Sequence, residues 1–169
     1  QEAHQQELRV VAHISSRYDI KDVLRAGADG IEHIAHNMDD SPELLDNMAA
    51  EDFYVVPTTA VYKSFMDSTA FKNSLNTFSN WVDHDIDVAL GTDTGNIPAG
   101  ESVYTEMELY AKAGMDPYEI LKSATIEAAR HIRAADRLGT LEVGKEADLI
   151  VFKQNPLKNI GDLGKPSWV

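Results

Sequence analysis

Short apolar runs alternate along this chain with longer stretches in which apolar residues recur every three or four positions, which predicts strands and helices in turn. Val10 to Ile14 is the first run, and Asp19 can cap a helix that carries Val23 and Leu24 and stops at Ala26-Gly27. Gly30 to Ile34 is the second. Ser41-Pro42-Glu43 then opens a helix to about Glu51, with a capping hydroxyl, proline at the first helical position and an acid in the first turn. Tyr54 to Thr58 follows as a strand whose regular pairing ends at Pro57. From Ser68 to His84 the residues Phe71, Leu75, Phe78, Trp81 and Val82 mark one helix face, a stripe better read as core packing than as an aromatic platform. A fourth run, Val88 to Leu90, breaks abruptly into Gly91-Thr92-Asp93-Thr94-Gly95. Helices from about Val103 to Ala113, from Asp116-Pro117 onward and from about Thr125 to Arg133 complete a βαβαβαβα pattern, which predicts parallel strands joined by helical crossovers.

The last part of the chain breaks that pattern. Gly139 to Lys145 reads as a short extended element and turn, and Asp148 to Phe152 as a strand ending in Asn155-Pro156, with no further βα unit. Residues 1–137 and 138–169 are therefore expected to form different parts, the second belonging to a small separate sheet. At the other end, Gln1 to Leu8 reads as the tail of a helix already under way, so the chain is expected to begin within a fold. It opens with no signal-peptide pattern and contains no apolar run long enough to span a bilayer; the compartment is left open.

Composition narrows the chemistry. The 169 residues, 43% hydrophobic, can bury the core of one domain. A net charge of −13 argues against nucleic acid or an anionic membrane surface as partner. With no cysteine, disulfides and thiolate sites are excluded, and any metal must be held by His, Asp or Glu.

The strand ends supply such groups. The first run ends at His13, the second at Ile31-Glu32-His33, and the fourth at Thr92-Asp93. In parallel α/β folds the loops after the C-terminal strand ends form the working face, so residues distant in sequence meet there. Alone, Asp93 could be a turn residue, an N-cap, or a ligand or base; its position beside two other strand-end donors favours the last. Imidazole and carboxylate suit zinc or another borderline divalent metal, with a nearby carboxylate to take a proton from water. His4, His84 and His131 lie in helical or helix-end settings and read as structural, and His36 as a loop residue. Glu32 precedes His33, should point to the opposite side of the strand, and suits an ion pair or hydrogen bond better than catalysis.

These residues carry a resemblance. His13 in Val-Val-Ala-His, His33 in Gly-Ala-Asp-Gly-Ile-Glu-His and Asp93 in Ala-Leu-Gly-Thr-Asp-Thr-Gly resemble the fifth, sixth and eighth strand motifs of the metal-dependent amidohydrolase superfamily, in its imidazolonepropionase-like and prolidase-like branch. Val56-Pro57-Thr58, Ala124-Thr125 with Ala128-Ala129-Arg130, and Gly139 to Leu149 extend the likeness over nearly the whole chain. The resemblance implies the C-terminal half of a (β/α)8 barrel with a β segment of a small sandwich. It implies hydrolysis of carbon-nitrogen bonds in small amides or dipeptides, with a divalent metal, zinc first, held by His13, His33 and Asp93. Asp93 would activate the water and protonate the leaving group, and Thr58, Thr59 and Tyr62 would lie near the substrate under the Thr94 to Glu101 loop. The family's first-strand His-x-His pair and fourth-strand lysine have no counterpart here, so a missing N-terminal half or pairing of two copies is expected. The alternative is a non-catalytic half-barrel that binds metal weakly and works only by assembly.

Overall fold

The computed structural model describes residues 2–34, 41–50, 53–95 and 99–169. Four short strands, β1 (Val11–His13), β2 (Gly30–Glu32), β3 (Tyr54–Val56) and β4 (Asp87–Val88), pair in parallel in the order β1-β2-β3-β4. The register puts Ala12, Ile31, Val55 and Val88 in one row. Because side chains alternate across a sheet, that row faces the helices, and Ile31, Val55 and Val88 are buried there. The rows on either side of it, Val11-Gly30-Tyr54-Asp87 and His13-Glu32-Val56, face the other way.

Helices cover the apolar face. After α1 (Glu2–Gln5), they are α2 (Arg17–Ala26), α3 (Pro42–Ala50), α4 (Thr59–Phe65), α5 (Ser68–Asp83), α6 (Ala99–Lys112) and α7 (Pro117–Lys122). A π-helical turn, Ser123–Glu127, carries α7 without a break into α8 (Ala128–His131), and its Ser123 carbonyl accepts from the Leu90 N–H beyond β4 at 2.9 Å. Ile20, Leu45, Met48, Phe78, Trp81 and Ile120 bring these helices into one core with the sheet. Of the stripe predicted on α5, Phe78 and Trp81 are completely buried in the core and Val82 packs against it, whereas Phe71 and Leu75 are half-buried.

Several local expectations change. The cap of α2 is Ser16, and Asp19 sits in the third helical position, its Oδ2 accepting from the Ser16 and Ser15 N–H groups at 2.7 and 2.8 Å. Helix α4 is not predicted by the apolar pattern at all. Helix α6 begins at Ala99, so part of the stretch read as a loop before Val103 is helical. The tail differs most: the strand expected over 148–152 amounts to a single antiparallel bridge between Val151 and Trp168. A strand needs a neighbour to exchange hydrogen bonds with, and among the described residues this one has only that contact. Leu141, Val143, Leu149, Ile150 and Val151 are accordingly exposed. The His36 position and part of the Thr94 to Glu101 loop lie outside the described residues.

One close approach sets the sheet's spacing near β3. A Cβ on Gly30 would meet the Tyr54 carbonyl oxygen at 2.6 Å, and a backbone atom cannot step aside. Gly30→Ala should therefore cost about 1–3 kcal/mol in a urea melt, the usual penalty for overpacking. Gly27→Ala, at a left-handed helix end with φ 70° and nothing within 4 Å, should cost about 1 kcal/mol from backbone strain alone.

Candidate active site

His13 ends β1 and His33 follows β2, and their rings meet edge to face with centroids 4.5 Å apart. The His33 N–H donates to the Val56 carbonyl at 2.8 Å, which continues the ladder by one bond, but its φ of 79° turns the chain out of the strand. The ring's Nδ1 lies 2.8 Å from the Thr58 hydroxyl, leaving Nε2 for other partners. Thr58 is almost fully buried and also left-handed, with φ 51°. Tyr62, on the first turns of α4, has its ring centroid 6.0 Å from that of His33. Asp93 is exposed, beyond β4, and has φ 46°. Three residues in the segments that follow β2, β3 and β4 thus occupy backbone conformations that favour glycine. Such strain collects at functional sites.

Electrostatics joins these groups. Burial holds the His33 imidazole below its usual pKa; the nearby His13 adds to this and Asp93 opposes it. Burial raises the Glu32 carboxyl and the Tyr62 phenol, and the Asp93 charge raises both further. Glu32 and His33 at the end of β2 and Tyr62 on α4 therefore all feel one carboxylate. Glu32 corrects an expectation: among the described residues it has no ion pair, and it shares a row with His13 rather than turning away from the site. Strict alternation holds only along extended backbone, and the left-handed turn at His33 lets both Glu32 and His33 come under the influence of Asp93.

Behind the loops lies a group that the sequence reading passed over. On α6, Ser102, Glu106 and Tyr110 are all completely buried. Glu106 Oε1 accepts from the Thr59 N–H and hydroxyl, both at 2.7 Å, and Oε2 accepts from the Ala60 N–H at 2.6 Å. Burial raises its pKa to about 7 despite these donors. Thr59 is thus turned to Glu106, whereas Thr58 and Tyr62 stand beside His33. The Ser102 hydroxyl is 2.8 Å from that of Thr94, next to Asp93. A serine, an acid and a tyrosine at four-residue steps on an otherwise core-facing helix was the available signal.

The donor chemistry fits a borderline divalent metal in part. His13 and His33 are neighbouring imidazoles, and Asp93 is close enough for its charge to act on His33. Among the described residues, however, no three His, Asp or Glu side chains form a group that could hold a metal ion.

Comparison with known proteins gives this site a context. The amidohydrolase family matches residues 1–169. The ochratoxinase of Aspergillus niger is 28% identical over 184 residues, covering 100% of this chain and 37% of that protein. An imidazolonepropionase of Brevibacillus brevis is 41% identical over 76 residues, 42% of this chain and 17% of its own length. Among solved structures, a Xaa-Pro dipeptidase with methionine in its active site superposes with a TM-score of 0.81 at 30% identity, over 97% of this chain and 43% of that one. The chain spans less than half the length of each of these relatives.

Glu106 gives a pH test of the buried cluster. Its folded pKa of about 7 lies above the ordinary 4.5, so the unfolded chain releases this proton first as pH rises. The stabilisation is complete below pH 4.5 and is lost progressively up to about pH 7, with a total on the order of 3 kcal/mol. Urea melts across that window should show wild-type stability falling relative to Glu106→Gln, which cannot titrate; parallel curves would refute the assignment.

Proposed function

Since this chain belongs to the amidohydrolase family, we propose that it carries metal-holding and proton-moving residues of a hydrolase acting on carbon-nitrogen bonds in small amides or dipeptides. The observation that supports this most is the meeting of the His13 and His33 rings at neighbouring strand ends, under the charge of Asp93. A divalent cation, zinc first, would be held by His13, His33 and Asp93, and when bound it acidifies water and polarises an amide carbonyl. Thr58 holds the His33 ring through Nδ1, which leaves Nε2 to serve as the donor. Asp93, exposed in the loop beyond β4, takes the proton from the attacking water as the new carbon-oxygen bond forms. It then delivers that proton to the departing nitrogen as the carbon-nitrogen bond breaks. Tyr62 stands at the rim beside His33, where a substrate side chain would rest.

On the same reading, residues 1–137 are the fifth to eighth strand units of an eight-stranded barrel and residues 138–169 part of a small sandwich. The parallel order β1-β2-β3-β4 supports this, as do the exposed apolar side chains from Leu141 to Val151. A second reading is a half-barrel that binds metal weakly and needs a missing half or a second copy to act. It is favoured by the absence, among the described residues, of a three-ligand group.

Zinc titration of the metal-free chain by calorimetry, followed by turnover assays on N-acyl amino acids, dipeptides and imidazolones, separates the two. The hydrolase reading expects about one equivalent of zinc, with His13→Ala and His33→Ala each weakening binding at least about tenfold. It also expects Asp93→Asn to lower turnover by about 10²–10⁴. Zinc well below one equivalent and no turnover after its addition would leave the second reading.

A further inference from the structure

Helix α6 touches the loops after β3 and β4 with polar side chains. Glu106 makes the kind of contact an N-terminal helix cap makes, from 47 residues away. The first N–H groups of a helix have no partner within it, and that end carries partial positive charge. The residue flanking α4, Thr58, gives no side-chain cap to the helix, and its hydroxyl is instead engaged with His33. Thr58 is also β-branched and held at φ 51°, ψ 40°, a conformation such residues rarely adopt unless their surroundings impose it. What grips the chain immediately after it is the Glu106 carboxylate, on Thr59 N–H, Thr59 hydroxyl and Ala60 N–H.

We propose that Glu106 is a positioning residue: by clamping the first turn of α4 it holds Thr58 in its left-handed turn, and Thr58 in turn fixes the orientation and tautomer of His33. In that state Nδ1–H donates to the Thr58 hydroxyl and the Nε2 lone pair is presented to the site. The use made of that lone pair rests on the hydrolase reading, but the line of contacts from Glu106 to His33 does not. A carboxylate that merely stabilised α4 would leave the His33 ring indifferent to its removal once the protein had folded.

The experiment reads the ring directly. In the full chain, metal-free at about pH 8 where imidazoles are neutral, ring-¹⁵N histidine spectra distinguish Nδ1–H from Nε2–H, with the His33 signal identified by its loss in His33→Gln. The wild type should show the Nδ1–H tautomer. Glu106→Gln, which keeps the shape but replaces one acceptor with a donor facing an N–H, should bring His33 to comparable populations of both tautomers while His13 is unchanged. Thr58→Val should do the same by removing the hydroxyl. Wild-type His33 shifts in folded Glu106→Gln, or an Nε2–H ring in the wild type, would overturn the proposal. If Glu106→Gln does not fold, Glu106→Asp, too short to reach both N–H groups, decides on the same signal. No turnover enters this measurement. A chain that hydrolyses nothing yet shows the tautomer change defeats only the hydrolase reading, and an active chain whose His33 ignores Glu106 defeats only this one.

Discussion

In-register parallel pairing is the constraint on which the rest of this molecule depends. Parallel strands place equivalent residues in rows across the sheet, so Ile31, Val55 and Val88 share the helix-covered side while His13, Glu32 and Val56 share the other. A slip of one residue in β2 would exchange these faces, driving Glu32 into the core and Ile31 into the candidate site. The apolar row opposes such a slip with the burial of its side chains, so core packing is also what aligns the strand ends. The polar side chains at those ends are thus aligned by apolar residues on the opposite face.

The helices add a second level of control. Most of their buried surface is apolar, as crossover helices require, yet α6 buries a serine, a carboxylate and a phenol in succession. Burying a carboxylate is costly, and the pKa of about 7 for Glu106 indicates that its three donors offset only part of that cost. An apolar side chain there would leave the Thr59 and Ala60 N–H groups without this acceptor, at about 1–3 kcal/mol for each group left unsatisfied. The polar face of α6 is therefore consistent with the needs of the loops it supports.

Much of this could be read from the chain. The alternation of apolar runs and helical stripes led to the parallel sheet, and of the candidate residues His13, His33 and Asp93 at the ends of separate runs, the two imidazoles meet. Strands β2 and β3 proved shorter than their apolar runs because His33 and Thr58 leave extended backbone through left-handed turns, and neither residue announces such a turn. Helix α4 escaped notice for a related reason: its N-terminus is satisfied by Glu106 rather than by a neighbour in sequence. Glu32 was misplaced because alternation was carried through a residue at which it stops. The strand expected over 148–152 was apolar enough but lacked a partner ladder, which no local pattern can report.

The left-handed turns at His33, Thr58 and Asp93 have a consequence for how this fold can be improved. Glycine would sit more comfortably at each of the three positions, so a procedure that optimised the backbone alone would choose it and remove the imidazole, the hydroxyl and the carboxylate together. At these positions the most relaxed chain is also the one without chemistry. On the hydrolase reading, gains in robustness must be sought elsewhere, because here stability and use compete for the same atoms.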